Sequence, residues 1–208
     1  MSSGDISTRS GIHRHATILK VTDYQKSILT ERDNHRSKGD RLLVYTLQQV
    51  RTTINPHIQV HAYSCVPSSV EMALKILGSA PANYYTLQNA CNPNGGCFTD
   101  HNGQTYFGTT FRRINLADRG DNFPFGDLFN IIDTEIDADK LVMIALPSRD
   151  AQGRPCYHGH VIFKKNLANQ DYNSITKIGY GAASQTRFYT GIKNAVREIE
   201  GTDILVHS

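Results

Sequence analysis

The sequence predicts an α+β fold, and three observations carry that expectation. Apolar residues recur at helical spacing in residues 41–54, 68–78 and 125–138. Residues 140–146 are a near-continuous apolar run, the pattern of a central strand buried on both faces. From residue 158 onward, short β-rich runs follow one another across polar connections. Helices gathered ahead of an antiparallel sheet, rather than alternating with strands, define this class.

The 208 residues suffice for one domain with a real core and a dispensable end. Residues 1–39 are polar and basic-leaning and read as a flexible N-terminal arm, with only 18–21 strand-like. Such an arm also suits a secretion signal for direct injection into another cell. Residues 40–208 read as the domain proper. Leu42, Leu43, Tyr45, Leu47 and Val50 give residues 41–54 an amphipathic helix, which Asn55 and Pro56 end. Residues 84–90 read as a short helix and 91–97 as a loop rich in Asn and Gly. Residues 109–119 are mixed and stay unassigned. Leu128, Phe129, Ile131, Ile132 and Ile136 make 125–138 a helix, and Pro147 is expected to end the strand 140–146. Strands follow at 158–165, 174–178, 186–189 and 203–207, with a short helix over 192–199 and a hairpin loop at 166–173.

Residues 59–78 organise the rest. Val70, Ala73, Leu74 and Leu77 line one helical face, Pro67 falls in the first turn, and Gly78 supplies the stop. Glu71 and Lys75, four apart in the favourable order, suggest a solvated flank. Cys65 therefore lies at or just before a helix N-terminus, where unpaired N–H groups and the helix dipole lower a thiol pKa. Gln59, six residues upstream, can fold back and offer an amide N–H to an oxyanion.

Gln59, Cys65 and the small-residue, apolar helix ending at Gly78 resemble the nucleophile segment of the papain-like cysteine peptidase superfamily. The likeness is to its compact bacterial branch of bacteriocin-processing peptidases and injected effector proteases. Those enzymes place Gly-Pro after the cysteine, where this chain has Val66 and Pro67. The resemblance implies a papain-like fold, with a helical half carrying the cysteine packed on an antiparallel sheet carrying a histidine. His160, opening the run Val161, Ile162 and Phe163, fits the histidine's place, with His158 as runner-up. The family's orienting Asp or Asn has no counterpart in register, because pairing 161–164 with 175–178 brings Gly179, Tyr180 and Gly181 opposite the histidine. Asp171, Asn173, Tyr180, Ser184 and Gln185 are the candidates for that third role, and none is assigned.

The implied chemistry is thiol acyl transfer on a protein or peptide substrate, with no cofactor: Cys65 attacks a carbonyl, His160 takes its proton, and Gln59 and backbone N–H hold the oxyanion. Water resolving the thioester makes a cysteine peptidase or a glutamine deamidase, and an amine makes a transglutaminase-like enzyme. A catalytically inactive papain-like binding module is the competing class. A zinc-stabilised interaction domain is the third, from Cys91, Cys97 and His101 with Cys156 or His158. The five-residue gap between Cys91 and Cys97 is long for a zinc pair and equally suits free thiols or a disulfide. Four cysteines without framework spacing point to a reducing compartment at the site of action.

Twenty-two basic and 19 acidic residues leave a net charge of +3 without a long basic run or aromatic–basic interleaving, which argues against a nucleic-acid partner. No apolar run reaches membrane-spanning length and no charged-then-apolar leader is visible. The expectation is a soluble protein, cytoplasmic or secreted into a host cell without a cleaved signal peptide.

Overall fold

A central antiparallel sheet is built from β1 (Thr105–Tyr106), β2 (Thr109–Leu116), β3 (Val142–Arg149), β4 (Pro155–Asn166), β5 (Asp171–Ile178), β6 (Gln185–Tyr189) and β7 (Thr202–His207). Their spatial order is β1-β2-β7-β3-β4-β5-β6. The helices are α1 (Leu47–Ile54), α2 (Cys65–Ile76), α3 (Thr86–Asn89), α4 (Phe125–Asp137) and α5 (Lys193–Val196). This is a computed structural model describing residues 45–92, 96–116, 125–150, 152–196 and 202–207. The arm expected over 1–39 lies outside them. The α+β class holds, with the sheet antiparallel throughout. Residues 109–116, unassigned from the sequence, form β2 beside β7, where Phe111 is fully buried.

The pleat sends alternate side chains to opposite faces. Leu141, Met143, Val161, Phe163, Ile175 and Leu205 pack with Val70, Met72, Ala73 and Leu74 of α2. Their neighbours Val142, Ile144, Ile162, Ile204 and Val206 pack on the other face with Leu128 and Ile132 of α4 and Val196 of α5. The result is helix on sheet on helix. Each fully buried aliphatic side chain contributes about 1.5–3 kcal/mol, which is why strands covered on both sides read as unbroken apolar runs.

The central helix begins at Cys65, and Gly78 follows it with φ 71°. There Ser79 N–H donates to Leu74 O at 3.0 Å, a left-handed stop that glycine adopts at least cost. The solvated flank expected at Glu71 and Lys75 is not solvated: their exposures are 0% and 5%. Glu71 accepts from Leu87 N–H at 2.9 Å and Gln88 N–H at 3.1 Å, satisfying the first turn of α3. Lys75 Nζ donates to His57 Nδ1 at 2.8 Å and lies 3.9 Å from the centre of the Tyr85 ring.

Two strand expectations change. β3 runs through Pro147 to Arg149. It can do so because, among the described residues, β7 pairs only with Val142, Met143 and Ile144, which leaves the β7 side of β3 without a ladder partner from Ala145 on, and such positions tolerate proline. The β4–β5 hairpin is also tighter than the expected 166–173 loop. Asn166 pairs with Asp171, Gln170 turns the chain at φ 53°, and the register runs Val161↔Ile175 and Ile162↔Ser174, with an irregularity between Ile162 and Lys164.

Candidate functional site

The segment leading to Cys65 is held by a buried amide. Gln88 Oε1 accepts from Val60 N–H at 2.7 Å and from Ser64 Oγ at 2.7 Å, while its Nε2 donates to Ile58 O at 3.0 Å and Glu71 Oε2 at 2.7 Å. Gln88, which the sequence reading did not single out, thus ties α3 to the turn before the cysteine. Gln59 is anchored too. Its N–H donates to Ser184 Oγ at 2.8 Å, and its carbonyl accepts from Gly181 N–H at 2.7 Å. The Gln59 amide nitrogen, expected to serve an oxyanion, donates instead to His61 O at 2.9 Å and Ala62 O at 3.3 Å.

Cys65 is a free, half-buried thiol. Burial pushes its pKa up, and the N–H groups of Gly159, Val66 and Cys65 itself pull it down less strongly. Gly159 is where sheet and helix meet. A Cβ there would lie 2.5 Å from Ser69 Oγ and 2.9 Å from Cys65 O, so only glycine fits.

That contact decides where the histidines point. Residue 159 faces α2, β3 and β4 pair without interruption from Val142↔Ile162 to Arg149↔Pro155, and so residues 158 and 160 face the other way. His160 sits opposite Ile144 on the face that α4 covers. Its Nδ1 is 3.4 Å from Ser174 Oγ, and its ring centre is 5.2 Å from that of Tyr189 and 6.0 Å from that of His158. Burial lowers its pKa to about 3, with His158 adding to the effect. His158 donates through Nε2 to Lys177 O. The structure therefore does not bring His160 or His158 to the Cys65 sulfur: both lie on the opposite face of the sheet from the helix that carries it.

The candidates for the orienting role are placed elsewhere as well. Asp171 accepts from Ile192 N–H at 2.8 Å and Lys193 N–H at 3.1 Å, starting α5. Asn173 accepts from Asn166 at 3.4 Å, Ser184 holds Gln59, Gln185 accepts from Arg187 at 3.4 Å, and Tyr180 is exposed. Ser174, the residue that does meet His160, is absent from those candidates because the tighter hairpin shifts the register. The zinc set is not assembled either. Cys91 and Cys97 form a disulfide, and His101 Nδ1 lies 2.9 Å from Tyr106 Oη. Among the described residues no group of three or more His, Cys, Asp or Glu could hold a metal ion, and no helix is long and apolar enough to cross a membrane.

A pocket of about 330 Å³ opens between the first turns of α2 and the sheet. Val66, Val70, Met143, Ala145 and Leu205 give it an apolar floor, and Ser69, Thr99, Arg113 and Tyr157 bring polar groups to it. Tyr157 is 54% exposed. No protein-family model matches this chain, and no curated protein and no solved structure matches it either.

Proposed function

We propose that this chain is a papain-like binding module that takes an apolar side chain of a protein or peptide into the pocket beside Cys65. The papain-like likeness rests on the sequence motif and on a cysteine-first helix lying against an antiparallel sheet. The observation that carries the binding reading is the position of His160 across the sheet from Cys65, with Gly159 between them. A thiol whose pKa burial raises, with His158 and His160 both turned to the far face of the sheet, is a poor nucleophile. A pocket with an apolar floor and a few polar groups is an ordinary ligand site.

Titration calorimetry with short peptides carrying Leu or Phe tests this reading, with Ala145→Leu filling the pocket. Saturable binding that Ala145→Leu abolishes is expected. Trapping with a peptide-like electrophile at pH 7 is the complementary experiment: Cys65 should react slowly, at a rate that His160→Ala leaves unchanged. Rapid, selective labelling of Cys65 that collapses in His160→Ala would overturn the reading.

A second reading keeps thiol acyl transfer, as a cysteine peptidase, deamidase or transglutaminase-like enzyme. The favouring observation is the set of N–H groups from Gly159, Val66 and Cys65 that stabilise a Cys65 thiolate. In the arrangement described, its base is a group other than His160. Rapid Cys65 labelling that survives His160→Ala is its signature.

A further inference from the structure

The disulfide and the pocket share a wall. Cys97 is followed by Thr99, which lines the pocket, and by Asp100, whose carboxylate accepts from Arg113 Nη2 at 2.7 Å. Arg113 lines the pocket too, and its N–H donates to Asn102 Oδ1 at 2.8 Å. The far side of this segment is therefore tied to β2. Its near side is tied by Cys97 to Cys91, which is buried at the end of α3. α3 in turn is joined through Glu71 to α2 and through Gln88 to the turn before Cys65. The disulfide thus couples the Thr99 wall to the helix that forms the pocket's opposite side.

We propose that the Cys91–Cys97 disulfide is a redox switch on this pocket: oxidised, it holds the Thr99 wall in place for ligand, and reduced, it releases the wall and weakens binding. This rests on the pocket being the binding site. Cys97 is half-buried where Cys91 is buried, so Cys97 is the sulfur open to an attacking thiolate. A dithiol reductant supplies two electrons and two protons. Its first sulfur bonds to Cys97 and expels the Cys91 thiolate, its second sulfur then displaces Cys97, and the products are two protein thiols and the oxidised dithiol. Cys65 and Cys156, already free thiols, are unchanged by that step. Because linkage is reciprocal, ligand in the pocket makes the disulfide harder to reduce by the factor that reduction weakens the ligand.

The test uses the fluorescent apolar probe 1-anilino-8-naphthalenesulfonate on the full chain, oxidised and after dithiothreitol, with circular dichroism confirming that both forms are folded. Probe affinity is expected to fall about fivefold or more on reduction. Cys97→Ser should show the weak affinity without reductant and no response to it. Probe should also shift the dithiol concentration at which wild type is half reduced by the same factor. Probe binding that Ala145→Leu removes, but that is equal in oxidised and reduced wild type, overturns the switch and leaves the pocket standing. Binding that Ala145→Leu does not touch overturns the pocket reading and the switch with it. If reduced wild type and Cys97→Ser both lose their fold, the disulfide is structural and the switch is refuted.

Discussion

Lowering the pH from about 7 to about 5 should cost this domain several kcal/mol, because buried histidines must be kept neutral. His57 is 1% exposed. Lys75 can only donate, so Nδ1 of His57 accepts from it and the ring proton sits on Nε2, donating to Ser68 Oγ at 3.0 Å. Burial, then the charges of Lys75 and Lys177, lower the His57 pKa to about 3. His160, 7% exposed, is likewise lowered to about 3. Both folded-state values lie below the unfolded value near 6.5, so the unfolded chain binds more protons in between. Their contribution is present above about pH 6.5 and is lost as pH falls toward about 3. At pH 5 each costs about 2 kcal/mol, about 4 kcal/mol for the pair, against a typical total of about 5–15 kcal/mol. Burial also lowers His101 and His207 to about 4, in the same sense. Glu71, whose carboxyl burial raises, acts in the opposite sense as it protonates. Lys75 and Lys177, held near 8 by burial, stay charged across this window. Urea unfolding at both pH values measures the loss, and His160→Gln isolates one share: its pH dependence should be smaller than wild type's by about 2 kcal/mol. Equal stability at pH 7 and pH 5, or a His160→Gln slope identical to wild type's, would refute the reasoning.

Gly159→Ala should destabilise the domain by about 1–3 kcal/mol in urea unfolding, since its methyl overlaps the first turn of α2. Adding Ser69→Ala should recover only part of that loss, because the Cys65 carbonyl is backbone and stays in the way. Glu71→Ala leaves the N–H groups of Leu87 and Gln88 and the Gln88 amide without their buried acceptor, at about 1–3 kcal/mol for each donor. Hydrogen exchange should then show faster opening over 86–90 and 58–64. Removing the Cys91–Cys97 bridge, with its sequence separation of 6, should cost about 2 kcal/mol by loop-closure entropy, read as a lower urea midpoint.

The helix after Cys65, its glycine stop, the buried run in β3 and the succession of strands after it were legible in the sequence, because each is written in local periodicity and local backbone preference. The sequence marks this helix from Ser68 onward, because proline in the first turn and glycine past the end are conformational facts about single residues, and the structure starts it three residues earlier, at Cys65. What the sequence could not show is which way those elements face. The pleat makes His158 and His160 share a face, but whether it is the Cys65 face depends on what packs against Gly159, and that contact joins residues distant in the chain. Gly159 did carry a signal, since a glycine inside a strand marks a close backbone approach. Glu71 and Lys75 look like an exposed ion pair on their own helix, and only α3 and the ring of Tyr85 bury them. The Cys91–Cys97 bridge and the tight β4–β5 turn were decided in the same way, by geometry that no spacing rule contains. Local sequence sets the elements through the energies of single residues. The tertiary structure sets the site, because one residue's difference in strand parity carries a side chain through the sheet.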